Sequence, residues 1–144
     1  IREDIPDDYY TLEIGKSKLI SEGNDLSIIT YGMGVHWALQ YAKDHSNLNI
    51  DILDLRTLIP LDIDSIYETV KKTGRVIVLH EDCMTGGIGG EIVALISENC
   101  FRYLDAPVKR VASLDTPVPF VKQLEDQFLP KERLASEIDE IMKY

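Results

Sequence analysis

The chain has 144 residues, 44% of them hydrophobic, and a formal net charge of −10 at pH 7. This length favours one domain, and this composition is enough to fill a buried core. The charge argues against nucleic acid, whose phosphates require clustered Lys and Arg, and no apolar run approaches the roughly 20 residues of a membrane helix. We therefore predict a soluble domain with no nucleic-acid or membrane partner. The acidic surface either promotes solubility or selects a basic protein partner.

The beginning of the chain has a different composition from the rest. Its first residues are acidic, are interrupted by Pro6, and do not start with Met. We expect residues 1–10 to be a linker from an upstream domain, and residues 11–144 to form the domain itself. No secretory signal pattern is visible. Because the first residues have the composition of a linker and do not start with Met, we expect the chain to be part of a longer polypeptide.

Strand and helix patterns then alternate along the chain. Short β-rich runs predict four strands, at residues 26–31, 50–55, 76–79 and 108–111. Apolar residues at helical spacing predict five helices, around residues 35–42, 63–70, 88–100, 121–128 and 134–142. Asp62 is expected to cap the second helix and Gly74 to end it, and Leu12 to Ile20 adds an edge strand or hairpin arm. Such alternation implies right-handed βαβ units. We predict an α/β fold with three layers, α/β/α, and a mostly parallel sheet.

The glycine-rich turn between the third strand and its helix is the most informative segment. Residues 80–92 read HEDCMTGGIGGEI. A phosphate cradle is disfavoured because three carboxylates flank the turn, no Lys or Arg lies in it, and the spacing differs from G-x-G-x-x-G. Glycines are needed where the backbone takes a positive φ or approaches another group closely. We therefore predict that Gly86 and Gly87 allow a helix to pack against a strand or a neighbouring subunit.

Two other groups offer alternative chemistry. His80 and Glu81, at a strand end, are either an acid/base pair or a His satisfied by a structural hydrogen bond, and we favour the second. Arg56 with Asp54 forms either a buried ion pair or a clamp for a substrate anion. Alternatively, Arg56 braces its loop while Asp62 caps the next helix. No histidine cluster suggests a zinc site, so the residues themselves predict no catalytic, cofactor or metal site.

Four blocks of the chain resemble the carboxy-terminal domain of the E1 β subunit of thiamine-dependent 2-oxo acid dehydrogenases. Residues 54–62 are similar to D-L-R-T-x-x-P-x-D, and residues 80–92 to H-E-x-x-x-T-G-G-x-x-x-E-I. Residues 105–111 and 115–119 keep the family order and spacing. The similarity covers about residues 8–144. The H-E-x-x-x-T-G-G block is most similar to the branched-chain (2-oxoisovalerate) enzymes, since pyruvate dehydrogenase β subunits usually differ at two of its positions, His80 and Thr85.

The resemblance implies a transketolase C-terminal-like domain that supports a larger enzyme of the 3-methyl-2-oxobutanoate dehydrogenase type and is inactive alone. Thiamine diphosphate and Mg would be bound by domains outside this chain. The expected partners are the E1 α part, a second E1 β copy and the subunit-binding domain of the E2 lipoyl acyltransferase. The residues implied for E2 docking are Asp105 and, if it is the natural terminus, Tyr144. The residues expected at domain or subunit interfaces are Arg56, His80, Glu81, Gly86 and Gly87.

The alternatives are an E1 β part of pyruvate or acetoin dehydrogenase, or a free-standing α/β domain that binds a small ligand at the glycine turn or at Arg56. The location is inferred from the cysteines. Cys83 and Cys100 form no C-x-x-C pair, which favours a reducing compartment. We expect the cytoplasm of a bacterium, in preference to the mitochondrial matrix of a eukaryote.

Overall fold

A computed structural model describes residue 4 and residues 6–144 of the chain. Within these residues, one sheet is flanked by helices. The strands are β1 (Lys18–Ser21), β2 (Leu26–Thr30), β3 (Ile50–Asp54), β4 (Val76–Cys83) and β5 (Lys109–Ser113). The helices are α1 (Met33–Asp44), α2 (Ile63–Thr73), α3 (Gly89–Cys100), α4 (Lys122–Phe128) and α5 (Lys131–Ile141), with a 3₁₀ turn at Phe101–Tyr103. Every predicted strand and helix is present.

The sheet has the strand order β1-β3-β2-β4-β5. β1 runs antiparallel to β3, and the other neighbouring pairs are parallel. In the central register, Ile28 pairs with Ile52 on one side and Ile77 on the other. The additional edge strand predicted within Leu12 to Ile20 exists as β1, at the end of that stretch. The predicted mostly parallel α/β fold is therefore confirmed.

The sheet separates two apolar cores. Side chains alternate between the faces of a strand, so Ile28 of β2 packs into one core and Ile29 into the other, and both are fully buried. Helices α1 and α5 cover the first core with residues such as Ala38 and Ile138, while α2 and α3 cover the second. Burial of each such side chain favours folding by about 1.5–3 kcal/mol. These two cores give the three layers.

The limits of α2 follow from its end residues, as predicted. The Asp62 carboxylate accepts a hydrogen bond from the backbone N–H of Ser65, 3.4 Å away. At the other end, Gly74 adopts the left-handed conformation with φ 67°, which a glycine takes without steric cost. α2 therefore begins and ends where the sequence indicates.

β4 extends to Cys83, beyond the predicted end at Leu79, because Cys83 still pairs with Ser113 of β5 after an irregularity in the ladder. Of the predicted linker 1–10, residues 1–3 and 5 lie outside the described residues. No helix in the described part of the chain is long and apolar enough to cross a membrane.

Candidate interaction sites at the two ends of the sheet

His80 and Glu81 lie on opposite faces of β4. His80 is fully buried, whereas Glu81 is exposed, as expected for successive residues of a strand. The acid/base pair considered from the sequence is therefore wrong, because the two side chains do not share a site. Glu81 remains available at the surface, and His80 belongs to the interior of the domain.

The His80 ring is buried, and neither of its nitrogens forms a hydrogen bond of standard geometry with the described residues. The Asp82 backbone lies close enough to act as a hydrogen-bond partner, so the favoured structural hydrogen bond stays a prediction. Burial lowers the pKa of His80 by disfavouring the imidazolium, and the Arg110 guanidinium acts in the same direction. The nearby Asp82, through its charge and its backbone, opposes this shift only in part. His80 is therefore expected to stay neutral over a wider pH range than an exposed histidine.

Two glycines close over this ring. A Cβ atom added to Gly87 would lie 2.6 Å from Cε1 of His80 and 2.5 Å from the Cys83 carbonyl oxygen, and one added to Gly89 would overlap Nε2. Gly86 instead has φ 82°, with open space where a Cβ would be. The close approach to β4 is thus made by Gly87, in the turn before α3, and by Gly89, in the first turn of α3, while the place of Gly87 at an interface stays a prediction. Gly86 is exposed, and its place at an interface stays a prediction.

The turn is braced by β5 and the residues after it. The Met84 backbone N–H donates to the Ser113 carbonyl over 3.0 Å, and Arg110 Nη1 donates to the Met84 carbonyl over 2.9 Å. The backbone N–H and hydroxyl of Thr85 both donate to the Asp115 carboxylate. These bonds lower the pKa of Asp115, the backbone N–H most strongly. The sequence did not indicate that Arg110 and Asp115 hold this turn.

Arg56 does not form the buried ion pair considered with Asp54. Its side chain is exposed and makes no ion pair with the described residues, while its backbone N–H donates to Asp54 Oδ1 over 3.0 Å. Arg56 has φ 56°, an uncommon conformation for a residue with a Cβ. It lies on an open groove of about 480 Å3, also lined by Lys18, Ile20, Gly32, Val35, His36, Leu39 and Asp54.

The loop after β3 is stabilised by neighbours of Arg56 and not by the Arg56 side chain. Thr57 accepts a hydrogen bond at its hydroxyl from the Gly15 backbone N–H and donates one to the Pro60 carbonyl. The Asp62 carboxylate accepts from the backbone and hydroxyl of both Ser17 and Ser65. Burial alone would raise the pKa of Asp62, but these hydrogen bonds outweigh it and lower the pKa.

At the amino end of the parallel strands, the structure brings Asp105 and Tyr144 to one groove. Its volume is about 500 Å3, and its other lining residues are Phe101, Arg102, Leu104, Ala106 and Pro107. The Asp105 side chain is 61% exposed and Tyr144 is 65% exposed. Two residues that the family resemblance indicated for the same role thus share a surface. We call this surface the Asp105 groove.

Beyond the carboxyl end of β5, a set of apolar side chains faces solvent. We call it the apolar strip: Leu114, Val118, Phe120, Val121 and Leu124. Val121 and Leu124 share a helical pattern with Phe128 in the sequence, yet of these three only Phe128 is buried. Helical spacing identifies a shared face, but it does not distinguish a domain core from an interface. Where exposed apolar side chains form a contiguous patch, such a patch marks an interaction site.

Taken together, these features define an α/β domain with a candidate interaction surface at each end of its sheet. Within the described part of the chain, no group of three or more His, Cys, Asp or Glu residues is placed to hold a metal ion. The family model for the transketolase C-terminal domain matches residues 15–133. The chain belongs to this family.

Curated relatives indicate the kind of protein in which the domain occurs. The chain is 42% identical over 132 residues to the 2-oxoisovalerate dehydrogenase subunit beta of Bacillus subtilis (strain 168). It is equally identical, over 131 residues, to the pyruvate dehydrogenase E1 component subunit beta of Staphylococcus aureus (strain Mu50 / ATCC 700699) and of Rickettsia bellii (strain RML369-C). Each match covers 90% of this chain but only 40% of the relative. Identity therefore does not distinguish the two substrates.

A solved structure supports the fold independently. A split-gene transketolase, described as an inactive β4 tetramer, matches with a TM-score of 0.80. The match covers 99% of this chain and 46% of the other, at 23% sequence identity. This similarity shows the fold alone.

Proposed function

We propose that this chain is the carboxy-terminal domain of the β part of a 2-oxo acid dehydrogenase E1. The whole enzyme would decarboxylate a 2-oxo acid on thiamine diphosphate and transfer the acyl group to the lipoyl arm of E2. Within it, this domain would supply subunit contacts and a docking surface. The proposal rests on the 42% identity to E1 β subunits over 90% of the chain. Its expected location is the cytoplasm of a bacterium or, in a eukaryote, the mitochondrial matrix.

Thiamine diphosphate does not fit the glycine turn of this chain. The Thr85 backbone N–H and hydroxyl donate to the Asp115 carboxylate, and Glu81 and Asp82 add two exposed carboxylates beside the turn. A diphosphate would be repelled there and would find the Thr85 donors occupied. We therefore assign the cofactor and its Mg to other parts of the enzyme, and no catalytic step to this domain.

The observation that carries the docking role is the Asp105 groove. An exposed carboxylate beside the exposed rings of Phe101 and Tyr144 combines a charge for steering with aromatic surface for contact. Such a groove suits a small basic protein domain. The partner we propose is the subunit-binding domain of E2.

The subunit-contact role is supported by the opposite end of the domain. There the apolar strip lies beyond β5, beside the braced glycine turn, and Phe120 is exposed to the full extent of its side chain. Burial of the Phe120 side chain against another E1 chain would remove apolar surface from water and so favour assembly. The E1 α part and a second E1 β copy are the chains that we propose as its neighbours.

The docking role is tested by calorimetric titration of assembled E1, containing this chain, with the E2 subunit-binding domain. Asp105→Asn is expected to weaken binding about tenfold at low salt and less at high salt. Asp64→Asn is the matched control, since Asp64 is an exposed carboxylate at the first turn of α2, the opposite end from Gly74. Equal affinities for the two variants would refute the role of Asp105.

The substrate needs a separate test. We propose a branched-chain 2-oxo acid because the H-E-x-x-x-T-G-G block of residues 80–87 resembles those enzymes. Assembled E1 should then decarboxylate 3-methyl-2-oxobutanoate with a higher kcat/KM than pyruvate. The reverse preference would identify a pyruvate dehydrogenase and leave the role of this domain unchanged.

A further inference from the structure

Asp105 lies directly against the end of α2. Its backbone N–H donates to the Gly74 carbonyl over 2.8 Å. A Cβ atom on Gly74 would lie 2.6 Å from Asp105 Oδ2 and 2.8 Å from its Cγ. The carboxylate therefore occupies space that any other residue at position 74 would fill. Gly74 permits the present orientation of Asp105 as well as ending the helix.

Arg75 is the cation closest to this carboxylate. Its Nη1 lies 3.7 Å from Asp105 Oδ2, which is an ion pair but too long for a hydrogen bond. The Nε of Arg75 is buried and has no partner among the described residues. The Arg75 backbone is fixed, because its carbonyl accepts from the Ser27 backbone N–H and the Thr73 hydroxyl. The Arg75 backbone is therefore anchored, and its guanidinium lies near Asp105 without a hydrogen bond to it.

Two other nearby cations do not pair with the Asp105 carboxylate. Lys71 and Arg102 both lie over the Tyr103 ring, 5.5 and 4.9 Å from its centroid. Neither forms an ion pair with Asp105. Among the described residues, Arg75 is the one cation that forms an ion pair with the Asp105 carboxylate. A partly exposed pair of this length contributes little to stability.

We propose that Gly74 and Arg75 are positioning residues that restrain Asp105 and limit its affinity for a basic partner. Gly74 leaves room for the carboxylate to face the groove. Arg75 offsets part of its negative charge and competes with a partner's Lys or Arg for the same oxygen. A partner must therefore displace or share this contact, which weakens docking and keeps it reversible. The inference rests on the docking role proposed above.

The test is a set of titrations of assembled E1 with the E2 subunit-binding domain at low salt. Arg75→Gln should bind about threefold more tightly than the wild type, and Arg75→Lys should restore wild-type affinity, because a lysine keeps the competing charge. Lys71→Gln is the matched control, since it removes a neighbouring cation that does not contact Asp105. Its effect should be clearly smaller. If Arg75→Gln does not fold, the same titration uses Arg75→Met, which keeps the aliphatic packing of the side chain.

A double-mutant cycle separates the restraint from a general change in charge. In an Asp105→Asn background, Arg75→Gln should change the affinity no more than Lys71→Gln does. If Asp105→Asn itself has no effect, the docking role fails and the inference fails with it. If Asp105→Asn weakens binding but Arg75→Gln and Lys71→Gln act equally, the docking role survives and the restraint by Arg75 is refuted.

Discussion

Thr85 donates two hydrogen bonds to one carboxylate, that of Asp115. Its backbone N–H lies 2.8 Å from Oδ1 and its hydroxyl 2.7 Å from Oδ2. The two residues belong to different blocks of the family pattern, the glycine turn and the segment that follows β5. The contact explains why a carboxylate is placed after β5: it holds the turn at the carboxyl end of β4.

The first prediction concerns this contact. Asp115→Asn should increase the rate of amide hydrogen exchange at Thr85, because an amide is a weaker acceptor than a carboxylate. Asp126→Asn, which changes an exposed carboxylate on α4, should leave that rate unchanged. In the wild type, the bonds lower the pKa of Asp115, so their stabilising effect is lost as the pH falls from the ordinary value of 3.8 through the lowered pKa. An unchanged rate in Asp115→Asn would contradict the bracing role.

The second prediction concerns the buried His80. Its pKa is lowered by burial, so the unfolded chain binds a proton at higher pH than the folded chain does. The free energy of unfolding should therefore fall as the pH drops from the ordinary value of 6.5 towards the lowered pKa. Denaturant titrations at several pH values measure this slope. His80→Gln should reduce it, whereas His36→Gln should retain it. An equal slope in His80→Gln and the wild type would assign the effect to another group.

The third prediction contrasts two glycines of the same turn and helix. Gly87→Val should lower the free energy of unfolding by about 3 kcal/mol, because its side chain would press on the His80 ring and the Cys83 carbonyl. Gly90→Ala should instead be neutral or stabilising, since its Cβ would meet only Arg110 Nη1, at 3.7 Å. Urea unfolding of both variants measures the difference. A well-folded Gly87→Val with wild-type stability would show that the close approach is not required.

The fourth prediction concerns the end of α2. Gly74→Ala should lower the free energy of unfolding by about 1–2 kcal/mol, because φ is 67° and the added Cβ would meet the Asp105 carboxylate. Gly86→Ala is the control, with φ 82° and no atom within 4 Å of its Cβ. A greater loss of stability in Gly74→Ala than in Gly86→Ala, measured by thermal unfolding, would indicate the effect of the contact with Asp105. Equal losses of stability in the two variants would mean that the positive φ, and not the contact with Asp105, causes the destabilisation.

The fifth prediction concerns the apolar strip. Phe120→Ser and Leu124→Ser should leave the stability of the domain close to that of the wild type, because both side chains are exposed. Both should weaken assembly of E1, measured by analytical ultracentrifugation. Phe128→Ser, which changes the buried residue of the same segment, should destabilise the domain by about 3 kcal/mol or more. If Phe120→Ser assembles normally, the apolar strip is not part of the subunit interface.

The fold could be predicted from the sequence because local signals agreed with the tertiary structure. The apolar period located each strand and helix, and Asp62 and Gly74 marked both ends of α2. The end of β4 could not be located in this way. Beyond Leu79 the strand is polar and is continued by pairing with β5, and a pairing partner distant in sequence leaves no local pattern.

The sites were less predictable, for two physical reasons. The disfavoured alternative of an acid/base pair rested on the adjacency of His80 and Glu81, but the first is buried and the second is exposed. Contacts across the sheet, such as Arg110 with the Met84 carbonyl, depend on register rather than on composition. Asp105 and Tyr144 came from family resemblance, and only the fold placed them on one groove.

The position of β5 has a mechanical consequence for the proposed complex. Asp105 precedes this strand and Asp115 follows it, so β5 connects the groove at one end of the sheet to the braced turn at the other. A strand of five residues spans about 16 Å at roughly 3.3 Å per residue. Because β5 is hydrogen-bonded to β4, it resists stretching and bending. The domain would therefore hold E2 at a fixed distance from the rest of E1, so that only the lipoyl arm has to move.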